Sequence, residues 1–416
     1  KYQVEAFRRE APHGGYVISV IRDIPKASMG LIDFLDRPKW PARDWDWQGD
    51  TICLLETHED CRSFEAGGRL RGSMRVSHFG VEALDEAELA VTLAVEGGRD
   101  WPRSTQRARL PRLEPGSVFE GIALDFALPE SDRPVAAVVQ AEVRAGRQRF
   151  RNHWPVWIVP RQSLPAGTTL RAGAPGDAGA MAEVFPGIEG PSGDDLSEVR
   201  IAARFDDGLV EFLERGGRVL MLPDGGAGSF GLSAHWFLRG APYVPGHALM
   251  GRVPRALLVE LQHFDLAGDV ILDLPFLDQV DPVLLLWDTH DHGTVKTHGL
   301  VFETRVGEGR LLVSALRHGG AQNAAGRWLA GELVRHLAEG ESPRHAVSPG
   351  VWNALKAKLH EDTLNERFSH DLTARLQPGA SHCIAVRVCD WYGAGGIFRP
   401  VTLGTAPYDP RTEVLK

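Results

Sequence analysis

The stretch that decides the fold is Tyr16-Val17-Ile18-Ser19-Val20-Ile21, a run of apolar and β-branched residues. A run of this kind is typical of a strand buried inside a sheet. It follows a segment from Lys1 to Glu10 in which Val4 and Phe7 mark one face of a helix, with Ala11 as the next residue on that face. A single helix–strand pair cannot bury both of its faces alone, so this pair is expected to belong to a larger domain.

The pattern changes after residue 44 to many short strands that alternate apolar with polar residues and are separated by Gly, Pro and Asp. The predicted strands are Asp50 to Glu56, Arg69 to Ser77, Ala87 to Glu96, Ser117 to Ala127 and Ala136 to Ala145, and a last one lies within Arg151 to Pro160. This spacing predicts an antiparallel β-sandwich of immunoglobulin type.

Helices and strands alternate from about Leu164 to Gly340. Asp206 is placed to cap a helix that runs to Arg215, glycines end that helix, and Arg218 to Leu222 reads as a buried strand. Further strands are predicted at Val283 to Trp287, Gly299 to Arg305 and Arg310 to Ala315, followed by a helix from Gln322 to Leu337. Alternation of this kind predicts a doubly wound α/β domain.

The C-terminal part returns to strands after a short helix from Val351 to His360. Ile384 to Val388 is the clearest strand, and a glycine-rich loop follows it. Only two or three strands fit between Phe368 and Lys416, which is too few for an independent β-domain.

Composition excludes several classes of protein. A length of 416 residues, 43% hydrophobic and 24% charged residues are ordinary for a globular chain of several domains. The net charge of -9 argues against general nucleic-acid binding, which requires a basic surface. No apolar run approaches the roughly 20 residues of a membrane span, and the N-terminus does not resemble a signal peptide. A chain that begins within a helix and without Met is expected to be a fragment, so the compartment cannot be read from its first residues.

The four cysteines do not form a disulfide framework in a chain of this length. Cys383 and Cys389 point to one face of a predicted strand but lie too far apart to bond, and Cys53 and Cys61 lack the spacing of metal ligands. All four are interpreted as small buried or half-buried residues.

Several motifs, in their order, resemble the glycoside hydrolase family 2 enzymes, the β-galactosidase and β-glucuronidase group. Tyr2 to Arg9 with Tyr16 to Ile18 and Gly30 to Asp33 resembles the last helix–strand step of their (β/α)8 barrel. Val76-Ser77-His78-Phe79-Gly80 and Asn152-His153-Trp154-Pro155-Val156-Trp157 resemble the sandwich that follows the barrel.

The rest of the chain extends this resemblance. Leu213 to Leu222 and Gly307 to Val313 are similar to a glutamine-amidotransferase-like accessory domain, and Asp371 to Val401 is similar to the closing strands of a galactose-binding-like jelly roll. The implied domains are 1–43 (barrel remnant and linker), 44–162 (sandwich), 163–345 (α/β domain), 346–366 (linker helix) and 367–416 (partial jelly roll). The resemblance also implies a carbohydrate substrate, a secreted or periplasmic enzyme and a homo-oligomer.

The resemblance assigns no catalytic residue to this chain. Retaining enzymes of the family use two glutamates, which must lie about 5 to 5.5 Å apart across the bond that is cut. If Tyr16 to Ile21 is barrel strand eight, both positions precede Lys1. Glu5 and Glu10 lie on the preceding helix, on the wrong side of the strand for this chemistry.

Five residues are candidate sugar contacts. Asp23 lies at the end of the predicted barrel strand, where substrate-facing residues collect, although a loop carboxylate that caps backbone amides is the simpler interpretation. Trp40, Trp45 and Trp47 are expected either to stack on a sugar ring or to fill the joint between two domains, and Trp391, beside a glycine-rich loop, allows the same two interpretations.

Two other patterns are interpreted as non-functional. Asp288, His290, Asp291, His292 and His298 are residue types that bind divalent ions, but their spacing fits no established site, so a polar loop is expected. The turn after Arg218 to Leu222 reads Pro223-Asp224-Gly225-Gly226 and lacks the cysteine that an amidotransferase requires. We therefore expect no cofactor, no metal, and an α/β domain that acts as scaffold.

The sequence leads to one functional hypothesis and two alternatives. The leading hypothesis is the C-terminal accessory portion of a family 2-type retaining β-glycosidase, which is not catalytic by itself. The first alternative is a non-catalytic carbohydrate-binding or protein-interaction module, because of the aromatic clusters. The second is a truncated gene product without a settled role.

Overall fold

The computed structural model describes residues 1–358 except 11, 13, 19, 25–29, 42–43, 96–102, 175–176, 192, 194, 227, 235–241, 260–264, 269, 273–275 and 289–294. In these residues the protein is rich in β-structure and contains three sheets and few helices. The predictions that fall on residues 359–416, the partial jelly roll with Trp391, Cys383 and Cys389, lie outside the described residues. None of the helices in the described part combines the length and apolar character that a membrane-spanning helix requires.

The N-terminal segment contains the predicted helix, α1 (Tyr2–Glu10), but not the predicted strand. Of the stretch from Tyr16 to Ile21, the residues that the structure describes form no strand, and the side chains of Val17 and Ile21 are 92% and 63% exposed. The prediction of a buried strand here is wrong for this structure. A strand is buried only when neighbouring strands pair with it on both sides, and among the described residues nearby the backbone pairing consists of isolated bridges such as Arg22 to Ile32.

The second part of the chain forms two sheets. Its strands are β1 (Thr51–Thr57), β2 (Ser63–Glu65), β3 (Arg69–His78), β4 (Glu88–Val95), β5 (Ser104–Arg109), β6 (Ser117–Ala127), β7 (Val135–Ala145) and β8 (Gln148–Val159). One sheet has the order β1-β3-β6 and the other the order β2-β8-β7-β4-β5. All pairs are antiparallel except β2 with β8.

The two sheets pack face to face over one apolar core. Leu55, Met74 and Phe126 from the three-stranded sheet lie in the same cluster as Val139 and Trp154 from the five-stranded sheet. Along β7 and the first part of β3, buried residues alternate with more exposed ones, as expected when one face of a sheet is buried. The predicted strands match the observed ones to within one or two residues at most ends, because alternation is a local signal.

The third part forms a mixed sheet. Its strands are β9 (Leu170–Ala172), β10 (Val199–Ala202), β11 (Arg218–Met221), β12 (Leu232–Ala234), β13 (Pro242–Tyr243), β14 (Val270–Leu272), β15 (Asp281–Asp288), β16 (Lys296–Val306) and β17 (Gly309–Ser314). The order is β12-β14-β16-β17-β11-β10-β9, with β15 also on β16 and β13 on β15. Strands β9, β10, β11 and β17 are mutually parallel, and the remaining pairs are antiparallel.

The remaining helices are α2 (Asp177–Met181), α3 (Asp207–Glu214), α4 (Ala324–Glu339) and α5 (Pro349–Lys358). Alternate residues of the parallel strands point to two separate cores: Leu220 packs in the core that contains α4, and Val219 in the core that contains α3. As predicted, Asp206 caps α3 by accepting a hydrogen bond from the Leu209 amide (2.7 Å).

Helix α4 is shared between two sheets. Most of its residues are buried, and its core also contains Trp157 and Val159, which lie on the outer face of β8. A helix that is buried over most of its circumference must be covered by more than one neighbouring layer. The sandwich also completes the helix N-terminus, because Ser63 Oγ accepts a hydrogen bond from the Ala325 amide (3.3 Å). The sandwich and the mixed sheet are therefore joined by continuous packing.

Candidate functional site

Three side chains from distant parts of the chain meet beside α4. Glu303 lies on the central strand β16, His336 lies in the last third of α4, and His247 immediately precedes a single 3-10 turn, Ala248–Gly251. Neighbouring residues on all three elements, such as Leu249, Val301 and Leu333, belong to the apolar core, so the three polar side chains lie in apolar surroundings.

The carboxylate of Glu303 is the centre of this cluster. Its Oε1 lies 2.9 Å from His247 Nε2 and 3.0 Å from His336 Nε2, and its Oε2 lies 3.3 Å from Nη2 of Arg310 on β17. The side chains of His247, Glu303 and His336 are only 5 to 6% exposed. Each oxygen of the buried carboxylate therefore has a partner.

The hydrogen bonds fix the positions of the imidazole protons. Nδ1 of His247 accepts a hydrogen bond from the Leu249 amide (3.2 Å), so the proton of the neutral ring lies on Nε2, from which it is donated to Glu303. Nε2 of His336 lies beside the same ionised oxygen, which can only accept a hydrogen bond, so this nitrogen also carries a proton. The proton positions are thus assigned by the partners.

The partners of Glu303 stabilise its ionised form. Burial alone would raise the pKa of Glu303, but the hydrogen bonds from His247 and His336 outweigh it and lower the pKa to about 2. Burial lowers the pKa of Arg310, although the attraction of Glu303 opposes this shift. The Arg310 guanidinium also donates to the carbonyls of Leu337 (3.2 Å) and Gly340 (2.7 Å), where unpaired carbonyls at the end of α4 favour a cation.

The arrangement can act chemically in two ways. As it stands, it is a satisfied polar network that ties β16, β17 and α4 to the segment before the 3-10 turn. Its three potential ligand atoms also lie within 4.8 Å of one another, and two imidazoles with one carboxylate are donors that divalent transition metals accept.

This cluster was not among the residues singled out from the sequence. His247, Glu303 and His336 are separated by more than 30 residues in each case and belong to no short motif. The one local signal is Glu303 itself, a charged residue directly after the apolar run Leu300-Val301-Phe302 of β16, where a buried carboxylate requires a partner.

Asp23, a predicted substrate contact, is engaged within its own loop. Its Oδ1 accepts hydrogen bonds from the Gly30 amide (2.8 Å) and from Lys39 Nζ (2.7 Å). The hydrogen bond from Lys39 and that from the Gly30 amide lower the pKa of Asp23. This geometry corresponds to the carboxylate that caps backbone amides, and a role in sugar binding stays a prediction.

The three tryptophans of the linker form one aromatic group. Trp47 is buried, Trp45 stacks on it with a centroid distance of 5.8 Å, and Trp40 meets Trp45 edge-on and is 42% exposed. Trp47 lies in a 3-10 turn, Asp46–Gln48, that contacts β1 and β8. The group therefore packs on the edge of the sandwich, and only its outer member offers a large exposed ring.

Glu5 joins the N-terminal helix to the sandwich. Its carboxylate is buried and accepts hydrogen bonds from Asn152 Nδ2 (2.7 Å) and Trp154 Nε1 (2.9 Å). Asn152 also donates to the carbonyl of Cys53. The Asn-His-Trp sequence at the start of β8 thus has a structural explanation, since it supplies the donors that a buried carboxylate needs.

The other candidate patterns have ordinary surroundings. Cys53 and Cys61 are buried and free, as predicted. Asp224 accepts a hydrogen bond from the Gly226 amide (2.9 Å) and pairs with Arg204 (2.7 Å), so the turn after β11 is a closed polar loop. Of the Asp288 to His298 segment, residues 289–294 lie outside the described residues, and the ends belong to β15 and β16.

Comparison with known proteins gives no functional assignment. A family model described as a domain of unknown function (DUF8488) matches residues 69–160, which correspond to β3 through β8 and the end of the sandwich. No curated protein matches the chain.

The similar solved structures resemble only part of the chain. A superoxide reductase (neelaredoxin) from Ignicoccus hospitalis is 14% identical, with 26% of this chain and 80% of that chain covered and a TM-score of 0.18. The sporulation control protein Spo0M from Bacillus subtilis is 14% identical, with 27% of this chain and 49% of that chain covered and a TM-score of 0.17. A family 123 glycoside hydrolase from Clostridium perfringens is 12% identical, with 27% of this chain and 25% of that chain covered and a TM-score of 0.18. Scores at this level support no argument about function.

Proposed function

We propose that this chain is the accessory scaffold of a family 2-type retaining β-glycosidase, not catalytic by itself, and that its N-terminal segment packs against the catalytic barrel of that enzyme. The observation that carries the proposal is an uncovered apolar surface. Of the large apolar side chains that are exposed, eight lie within residues 2–40, namely Tyr2, Phe7, Val17, Ile21, Ile24, Phe34, Leu35 and Trp40, and six lie in the rest of the described chain. Exposed apolar residues that are concentrated in one segment indicate a surface that another body covers.

The direction of this surface supports the same interpretation. Helix α1 is anchored on the sandwich by its buried Glu5 and by Arg8, which donates to Ser77 Oγ (2.9 Å) and lies over the ring of Phe79 (4.6 Å). Phe7 and Val17 of the same segment are exposed. The segment is thus attached to the sandwich and also carries apolar side chains that are available to a barrel.

The finer fold assignment belongs to this proposal. The face-to-face sheets support an immunoglobulin-like sandwich, and the parallel strands β9, β10, β11 and β17, with α3 in one core and α4 in the other, support a doubly wound α/β domain of glutamine-amidotransferase-like type. In this interpretation the N-terminal segment is the last part of a (β/α)8 barrel, and the body that covers its apolar surface is the rest of that barrel. The substrate would be a β-linked sugar bound by the whole enzyme, with homo-oligomer formation and a secreted or periplasmic location as in the family.

The carboxylates of the N-terminal segment support a non-catalytic role. Glu5 is buried between Asn152 and Trp154, Asp23 is bound by Gly30 and Lys39, and Asp33 accepts hydrogen bonds from the backbone and side chain of Arg37. Each of these three carboxylates is hydrogen-bonded to groups of its own chain. Retaining hydrolysis, in contrast, needs a pair of carboxyl groups that face a substrate.

The isolated chain is therefore expected not to hydrolyse nitrophenyl-β-galactosides or nitrophenyl-β-glucuronides. The measurement is nitrophenol release with the purified chain, compared with a buffer blank and with the Asp23→Asn variant. Turnover that the wild type shows and the variant loses would contradict the proposal.

A carbohydrate-binding module is the second candidate, and one specific observation favours it. Tyr243 on β13 and Trp287 on β15 stack with a centroid distance of 4.8 Å, and both rings are more than 40% exposed. Exposed aromatic rings offer flat apolar faces with a polar edge, which suit sugar rings. Calorimetric titration with β-linked oligosaccharides separates the candidates, because a pure scaffold gives no heat of binding, whereas a binding module loses its heat in the Trp287→Ala variant.

A further inference from the structure

We propose that His247, Glu303 and His336 bind one divalent transition-metal ion, which fastens the segment before the 3-10 turn to β16 and α4. The proposal goes beyond the scaffold function and does not depend on it. It rests on the type, the spacing and the support of the three side chains.

The donor types and distances suit a small divalent ion. Neutral imidazole nitrogens and a carboxylate oxygen are the usual ligands of zinc outside cysteine-rich sites. With metal–ligand bonds of about 2.1 Å, two ligands at a right angle lie about 3.0 Å apart and two at the tetrahedral angle about 3.4 Å apart. The observed separations of 2.9 and 3.0 Å between Glu303 Oε1 and the two Nε2 atoms correspond to the first arrangement, and a shift of a few tenths of an ångström gives the second.

The ligands are held by groups outside the set. Arg310 occupies the second oxygen of Glu303, so that Oε1 faces the two imidazoles. Arg310 is itself fixed by the carbonyls of Leu337 and Gly340 at the end of α4. Partners of this kind orient metal ligands and are part of a metal site as much as the ligands are.

The ion takes the place of the two imidazole protons that now point at Glu303. Each ring must then carry its proton on Nδ1, and for His247 this removes the hydrogen bond from the Leu249 amide. The positive charge of Arg310 beside the carboxylate also opposes the ion. Both effects predict an affinity weaker than that of sites built from thiolates, and neither changes the expected stoichiometry.

The burial of the site indicates a structural ion. The three side chains are only 5 to 6% exposed, and they join elements that are far apart in the sequence. An ion that binds the folded chain but not the unfolded chain raises the temperature of unfolding by mass action.

The test uses the full chain, stripped with a chelator and then dialysed against Zn²⁺ or Co²⁺. We expect one bound ion per chain by elemental analysis, visible absorption of bound Co²⁺ that reports its coordination number, and a higher unfolding temperature with either ion. The Glu303→Gln and His336→Asn variants are expected to lose the bound ion and the shift in unfolding temperature. The matched control is His345→Gln, which removes an exposed histidine paired with Asp281 and should bind as the wild type does.

The wild-type result decides the proposal even if a variant fails to fold. A wild-type chain that retains no Zn²⁺ or Co²⁺ overturns it, and the cluster is then a proton-only network. Equal retention by the wild type and a folded Glu303→Gln variant also overturns it, because the ion is then bound elsewhere.

Discussion

Glu5 is the residue on which the attachment of the N-terminal helix depends. The Glu5→Ala change leaves Trp154 Nε1 buried without an acceptor and leaves Asn152 Nδ2 with the carbonyl of Cys53 as its one acceptor. Because an unpaired buried donor costs about 1–3 kcal/mol and hydrogen bonds to a charged group are the stronger ones, we expect a loss of about 3 kcal/mol in the free energy of unfolding. Urea unfolding followed by tryptophan fluorescence measures it.

The control for this prediction is Glu10→Ala on the same helix. Its carboxylate is 70% exposed and pairs with Arg9 at the surface, so a change within about 0.5 kcal/mol is expected. If Glu5→Ala unfolds at the same urea concentration as Glu10→Ala, the anchoring role assigned to Glu5 is wrong.

His318 makes the stability depend on pH. It is fully buried, its Nδ1 donates to the Gly326 carbonyl (2.9 Å), and its Nε2 accepts from Ser314 Oγ (2.8 Å). Burial lowers its pKa from 6.5 to about 4. Between these values the unfolded chain binds a proton that the folded chain does not, so stability falls as the pH falls, by about 3 kcal/mol from pH 7.5 to pH 4.

The measurement is the free energy of unfolding as a function of pH for the wild type and for His318→Gln. The variant is expected to be less stable at pH 7.5 and to lose less stability on acidification. His58→Gln, at an exposed histidine, should keep the dependence of the wild type. A slope that is unchanged in His318→Gln would show that another group titrates in this window.

At the scale of elements, the turn between β16 and β17 is fitted to the end of α3. A Cβ atom on Gly309 would overlap the carbonyl oxygen of Leu213 and lie 2.8 Å from that of Gly217. Because these atoms belong to the backbone and cannot rotate away, Gly309→Ala is expected to lower stability by at least about 2 kcal/mol.

Gly190→Ala is the matched control, since a Cβ there meets nothing within 4 Å. It is expected to be neutral or slightly stabilising, because alanine reduces the freedom of the unfolded chain. Thermal unfolding of the two variants beside the wild type tests the comparison. Equal unfolding temperatures would mean that α3 and the turn are not packed as described.

The longer strands of the sandwich, strands β11, β15, β16 and β17 and helices α3 and α4 could be predicted because their signals are local. The short strands β2, β5, β9, β10, β12, β13 and β14 were not predicted. The alternation in β3, the Asp206 cap and the glycines after α3 each act within a few residues. The stretch from Tyr16 to Ile21 could not be predicted correctly, because an apolar run shows only that the side chains favour burial. It does not show whether a partner surface is present.

The candidate site could not be predicted for a different reason. His247, Glu303 and His336 are brought together by the pairing of β15, β16 and β17 and by the return of α4 over the sheet. No spacing in the sequence records these contacts. A charged residue directly after the apolar run of β16 indicates that a partner exists but does not identify it.

At the scale of the whole molecule, the sandwich and the mixed sheet are packed as one body. Helix α4 lies in the core that contains Trp157 and Val159 of β8 and Leu220 and Leu312 of the parallel strands. Apolar packing on two sides of one helix resists relative movement. The uncovered apolar surface lies on the N-terminal segment, where we propose that the catalytic barrel packs.

The most direct measurement is the sequence of the gene on the 5′ side of the codon for Lys1. The account predicts a continuous reading frame that encodes the earlier strand–helix units of a (β/α)8 barrel, with a glutamate at the end of strand four and another at the end of strand seven. A start codon next to Lys1, or a frame that encodes an unrelated domain, would contradict it.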